Sequence, residues 1–286
     1  MEEVEIAVTA VWVKRLGSSK AVSPAISAVI MTGTVVALIS VALVFANNLL
    51  SLRMAESEFN SAIQVMQTVG LQIDDVAWVI GRTETVRYSS RYGDVAFESA
   101  LNYTIYINTT DPEEPPNRIL YTATTGILCF NMPVSQYSVG NNYYELIYPS
   151  VDEGLLLKGA SAPVARIFAV EKLPMGGKSF VRVVMAPTIR MLNSPIGNTN
   201  YVRLYLPVLS EGNAPKRYQT ISLTGESVSK VGESVTGIKV EVKFPLPGFD
   251  NSFFHFSKTT ETISLTEETV VELFVGAVDV ALGVHS

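Results

Sequence analysis

The sequence predicts an α+β protein: a long N-terminal α-helix, apolar and then amphipathic, followed by a β-sandwich-like all-β globular domain. Three observations lead there. No Lys, Arg, Asp or Glu occurs from Ala21 to Leu52, which suits an apolar surrounding. The apolar residues Leu52, Phe59, Ile63, Met66, Val69, Ile73, Val76 and Ile80 then recur at steps of three, four or seven, the spacing of a one-sided helix. Beyond Thr83 the period changes to two, and Val, Ile, Thr, Tyr and Phe dominate, as in strands. The chain is thereby divided into a leader over 1–21, a long helix over 22–81, and a β-rich domain over 82–286.

The helix comes first. Ala25 to Ala46 would be about 33 Å long as a helix, against a hydrocarbon core of about 30 Å. A cleaved secretory signal has an apolar region of only about 7–15 residues, so an ordinary signal peptide fits poorly. Pro24 falls near the helix start, where its missing N–H costs little, and Gly81 follows Ile80 as a terminator. Lys14, Arg15 and Lys20 lie just before the span and only Arg53 just after it. The positive-inside rule then puts the N-terminus in the cytoplasm and residues 53–286 outside. The opening Met1-Glu2-Glu3-Val4-Glu5-Ile6 is acidic where an export signal wants a basic region. A compact signal would begin near Val13 or Lys14, with the earlier residues either an extension or the product of a mis-assigned start. Within the apolar half, Ala25, Ala28, Thr32, Gly33, Ala37 and Ser40 recur mostly every third or fourth residue. Small residues so placed let helix backbones approach closely in an apolar setting.

The strands follow. Candidates are Thr83 to Tyr88, Ala100 to Asn108, Ile119 to Thr124, Tyr143 to Tyr148, Val164 to Glu171, Ser179 to Met185, Tyr201 to Leu206, Thr220 to Leu223, Gly237 to Phe244, Ser252 to Ser257 and Val270 to Val280. Turn signals separate them, among them Pro115-Pro116, Gly140-Asn141-Asn142, Pro195-Ile196-Gly197-Asn198 and Pro247-Gly248. Leu173 to Lys178 is the clearest hairpin turn. Regular short strands with this punctuation indicate a sandwich, or two small sheets packed together. Gly154 to Ala162 is a place for an internal boundary.

Lys20-Ala21-Val22-Ser23-Pro24, set directly before the apolar run, resembles the class III signal of archaeal type IV pilins and archaellins. The resemblance covers roughly residues 14–52. It implies that a prepilin peptidase cuts on the cytoplasmic side, with Lys20 as the basic residue, Ala21 before the cut and Val22 as the mature start. Gly17 is a second candidate, but Ser18 and Ser19 would then make a polar mature start. The glutamate found near the start of bacterial pilin helices has no counterpart here. The resemblance further implies a structural subunit, major or minor, of a pilus-like surface filament. Its partners would be itself or homologous pilins, the peptidase, the membrane before assembly, and the pilus assembly machinery. A permanently anchored β-rich receptor or adhesion module is the alternative, although a simple anchor needs neither the basic-small junction nor Ser-Pro.

The remaining inventory argues against other classes. A net charge of −6 lacks the basic footprint of a nucleic-acid binder. Cys129 is the single cysteine, so an intrachain disulfide is excluded and a buried strand position is expected. His255 and His285 are too dispersed to make a zinc site with it, and His255 reads as a packed or edge residue of a strand. Ser227-Val228-Ser229-Lys230 matches Ser-x-x-Lys but lies in a Gly-rich segment read as a loop. Asp74 and Asp75 point about 100° apart on a helix, which suggests a solvated face rather than a carboxylate pair. These residues predict neither an enzyme nor a cofactor. Asn102-Tyr103-Thr104 and Asn108-Thr109-Thr110 are N-glycosylation sequons, marking Asn102 and Asn108 as acceptors on an extracellular face. All twelve tyrosines lie beyond residue 85, either packing across strands or forming a patch for subunit contact.

Overall fold

A computed structural model describes residues 23–109, 111, 113–150, 154–172, 179–197, 199–213 and 219–283. The expected processing residues Lys20, Ala21 and Val22, the hairpin turn over 173–178 and His285 lie outside them, and of Ala25 only the backbone is described. By contacts the chain divides into two compact units, the first ending at Arg53 and the second beginning at Met54.

One helix, α1 (Ser23–Val76), carries the whole N-terminal run. Its second half buries Ala55, Phe59, Ala62, Met66, Val69, Ile73 and Val76, alternating steps of four and three that keep one face inward. This line differs from the one read off the sequence. Leu52 and Ile80 are exposed and Ile63 is half-buried, while Ala55 and Ala62 take buried places. Small side chains are needed there because the helix lies close to the sheet, as Gly70 also shows: a Cβ on it would stand 3.1 Å from Ile167 and 3.2 Å from Ala165.

The helix stops at Val76, short of the expected Gly81. The chain then turns through Gly81, whose φ of +79° suits glycine. The Gly81 amide donates to Gly225 O at 2.7 Å and the Gly225 amide to Arg82 O at 2.9 Å, so the exit is already a strand pairing.

Among the described residues eleven strands follow: β1 (Thr83–Arg87), β2 (Asp94–Asn108), β3 (Arg118–Pro133), β4 (Tyr143–Tyr148), β5 (Leu156–Lys158), β6 (Ala165–Glu171), β7 (Phe180–Pro187), β8 (Ile189–Ile196), β9 (Thr199–Glu211), β10 (Thr220–Lys243) and β11 (Thr260–Leu282). All belong to one hydrogen-bonded sheet in the order β4-β6-β7-β3-β2-β10-β11-β9-β8-β5, with β1 beside the start of β10. The pairing therefore does not divide them into two separate sheets, and Gly154 to Ala162 falls between β4 and β6 of that one sheet. β9 runs parallel to β11 and β5 parallel to β8; the other pairs are antiparallel.

Two cores form on the two faces. Leu128, Phe130 and Met132 of β3, Ile167 of β6 and Val183 and Met185 of β7 meet the helix. Their neighbours Ile127, Cys129, Phe168, Val184 and Ala186 enter a second core with Tyr103, Ile105, Leu204, Val240 and Leu273. Such strands, buried on both faces, read as continuous apolar runs. The longer strands serve both cores in turn. In β2, Val95 faces the helix while Leu101 and Tyr103, of the same parity, face the second core. The register shift between Glu98 and Leu101 makes the change, because an extra residue in a strand reverses the face that follows.

Three sequence assignments are corrected. Ser252 to Ser257 is not a strand. Asp250 caps a short helix, α2 (Asn251–Phe254), by accepting from the Ser252 amide at 2.9 Å, and His255 ends it in a left-handed conformation with φ of +50°. Aromatic composition suggested a strand where the local cap decided for a turn. Ser227 to Lys230 is not a loop but the middle of β10, which unites two expected strands. Finally, β5 and β8 were not expected at all, and β8 runs to Ile196 through the proline read as part of a turn.

Candidate functional site: the apolar half of the helix

Every described side chain from Ile26 to Leu50 is exposed, including Val29, Ile30, Met31, Leu38, Leu43 and Phe45. Among the described residues this is the one helix long and apolar enough to cross a membrane. Three of its hydroxyls are satisfied within the helix: Thr32 donates to Ala28 O at 2.7 Å, Thr34 to Ile30 O at 2.8 Å and Ser40 to Val36 O at 2.9 Å. Hydroxyls bonded to the helix backbone in this way can sit in a medium without water. The segment can equally pack against other apolar helices.

The small residues are arranged more broadly than as one stripe. At about 100° per residue, positions 25, 28 and 32 lie along one line and Gly33, Ala37 and Ser40 along an adjoining one. Nothing stands within 4 Å of where a Gly33 Cβ would be.

The polar contacts that hold the other half of the helix were not legible beforehand. Asp74, expected on a solvated face, accepts from Arg190 Nη1 at 2.8 Å and from Trp78 Nε1 at 2.9 Å. Trp78 in turn packs edge-on against Tyr205 at 5.3 Å, and Arg190 lies over that same ring at 4.9 Å. Asp75 remains exposed and meets only Arg82 at 3.6 Å among the ion pairs described. Glu58 accepts from the amides of Arg91, Tyr92 and Gly93 and from the Ser90 hydroxyl. Burial alone would raise the Glu58 carboxyl, but these donors outweigh it and hold the group below its ordinary value.

The other singled-out residues fall as follows. Asn102 is half-buried in mid-strand and donates to Thr124 Oγ1 at 3.0 Å; Asn108 ends β2 and accepts from the Asn117 amide at 2.7 Å. Cys129 is buried, and burial pushes its thiol up to about 12, which suits packing and not reactivity. The described tyrosines are buried or half-buried, with Tyr103 fully inside and donating to Pro187 O at 3.0 Å. Several pack within the strand domain, as Tyr205 does on Phe274 of the neighbouring strand, while Tyr137 packs on Phe59 of the helix. Ser227 and Lys230, three apart on a strand, face opposite sides, and Lys230 pairs with Glu272 at 2.6 Å. His255 stacks on Tyr144 at 4.2 Å; among the described residues no His, Cys, Asp and Glu cluster could hold a metal ion. The chain matches no protein-family model, no curated protein and no solved structure.

Proposed function

We propose that the chain is a structural subunit of a type IV pilus-like filament on the cell surface, assembled by packing of its N-terminal helices after a prepilin peptidase removes residues 1–21. One observation carries the reading: a single unbroken helix whose second half is built into a strand domain and whose first half offers an entirely exposed apolar surface. An anchor alone explains the apolarity. A filament subunit needs in addition a core segment and an outer domain on one chain, and this chain carries both. The Lys20-Ala21-Val22-Ser23-Pro24 junction adds the processing signal. In this reading the sheet with its two cores is the outer domain, facing the exterior. Before assembly Ala25 to Ala46 spans the membrane. Assembly exchanges lipid contacts for helix contacts, so it depends on close packing at residues such as Gly33 and Ala37 and on an export motor.

The test has two arms. Coexpression with a prepilin peptidase should give a mature N-terminus at Val22, read by N-terminal sequencing. Gly33→Leu and Ala37→Leu should insert and fold as the wild type does, since the Gly33 position is open, yet fail to appear in sheared filaments because leucine holds neighbouring helices apart. A chain that keeps Lys20 under all conditions, with no filament recovered, would establish instead the permanently anchored receptor or adhesion module. Normal assembly of both leucine variants would remove the packing role.

A further inference from the structure

On the sheet face opposite the helix, beside the second core, lies a cleft of about 340 Å³, within the range of small-ligand sites. Its floor is set by strand register. Asp94 of β2 stands opposite Asn131 of β3, and Asn131 opposite Arg182 of β7, so three polar side chains form a row across three strands. The next row toward the core is Ala96 opposite Cys129, and Glu98 lines the cleft beyond it. Small Ala96 and Cys129 leave the space that larger residues would fill.

The groups around this space are held in place. Arg182 is buried, donates through Nε to Asn131 Oδ1 at 3.0 Å and lies over the Phe180 ring at 5.1 Å. Phe249, also lining the cleft, comes from the loop before α2 and is fixed edge-on against Phe253 at 5.0 Å. The cleft is thus lined by carboxylate, amide and guanidinium groups together with the rings of Phe180 and Phe249.

We propose that this cleft binds a neutral saccharide ring. The charges exclude the simpler ions: an anion drawn by Arg182 would meet Asp94 and Glu98, and a cation drawn by those carboxylates would meet Arg182. A ring with hydroxyls around its edge and C–H groups on its faces meets no such conflict. Carboxylates and amide oxygens accept from its hydroxyls, guanidinium and amide N–H groups donate to its oxygens, and the Phe249 ring covers an apolar face. The proposal stands apart from the filament reading, because no residue of the apolar helix segment contributes.

The experiment uses the full chain in a zwitterionic, sugar-free detergent. Saturation-transfer NMR is recorded with methyl glycosides of glucose, mannose, galactose and N-acetylglucosamine. At least one glycoside should receive saturation on its ring protons. Ala96→Leu, which fills the cleft without removing a hydrogen bond, should abolish the transfer. Asp94→Ala, at an exposed position, should weaken binding by about tenfold. Circular dichroism checks that both variants keep the wild-type fold. The proposal is overturned if no glycoside receives saturation, if both variants bind as the wild type does, or if only inorganic phosphate or tetramethylammonium binds in an Asp94-dependent way.

Discussion

Three glutamates at distant positions act alike. Glu58 accepts from the amides of Arg91, Tyr92 and Gly93, Glu171 from those of Val139 and Gly140, and Glu261 from those of Leu155 and Leu156. In each case a carboxylate gathers consecutive backbone donors that a loop would otherwise leave unpaired. Nothing in the local sequence marks these residues, since each partner loop lies about 30 to 105 positions away. Glu58→Gln should cost about 1–3 kcal/mol and speed hydrogen exchange at the amides of residues 91–93. Unchanged exchange there would show that the loop holds itself. The charge also gives a pH dependence. The folded-state Glu58 carboxyl is depressed, so its contribution is complete above the unfolded value of about 4.3 and is lost as pH falls through the lower folded value. Glu272 behaves in the same direction through Lys230 and Arg203. Melting temperature should therefore fall as pH drops from neutrality below about 4, and less steeply for Glu58→Gln than for wild type; parallel curves would contradict this account.

At the scale of elements, the decisive contact is the end of α1 on the sheet. A Cβ on Gly225 would collide with the Val76 and Val79 carbonyl oxygens, and one on Gly276 with the Ala77 carbonyl oxygen. Two glycines on neighbouring strands β10 and β11 thus let the last helical turn rest directly on backbone. Gly276→Ala should destabilise the protein by about 1–3 kcal/mol through overpacking, measured by denaturant unfolding. A loss below half a kilocalorie would mean that the helix end moves freely aside. The existence of the helix and of most strands was legible from period and composition. The length of β10 was not, because Gly225 and Gly232 flank a segment that reads as a Gly-rich loop. In the folded chain Gly225 answers instead to the helix above it. The short α2 was misread for a related reason. Phe253-Phe254-His255-Phe256 carries no period of its own, and the Asp250 cap together with burial against Phe168, Phe244 and Phe249 fixed its conformation.

For the whole molecule, the question is where the folded domain begins. The strands expected from the sequence begin after residue 82, and the compact unit that contains them begins at Met54. Phe59, Met66, Val69, Ile73 and Val76 are buried against the sheet. At about 1.5–3 kcal/mol each they contribute roughly 7–15 kcal/mol, comparable with the whole stability of an ordinary domain, about 5–15 kcal/mol. A chain covering 54–286 should therefore unfold cooperatively in solution, whereas 82–286 should show no cooperative transition and should bind a hydrophobic dye. Equal melting of the two fragments would show that the helix only decorates a domain that stands alone.

By itself the sequence determined what depends on neighbours along the chain. It marked an apolar stretch without charge, a one-sided helical repeat after it, an alternation of two beyond Thr83, and a single cysteine bound for burial. Local spacing expresses these directly, because helix and strand periods are properties of contiguous residues. Only the tertiary structure decided the rest: Asp74 as an anchor to Arg190, the glutamates as loop clamps, the joining of all strands in one sheet, and the row of Asp94, Asn131 and Arg182. Each of those depends on which distant residues meet. Strand order and bulges set that, since one inserted residue turns every following side chain to the other face.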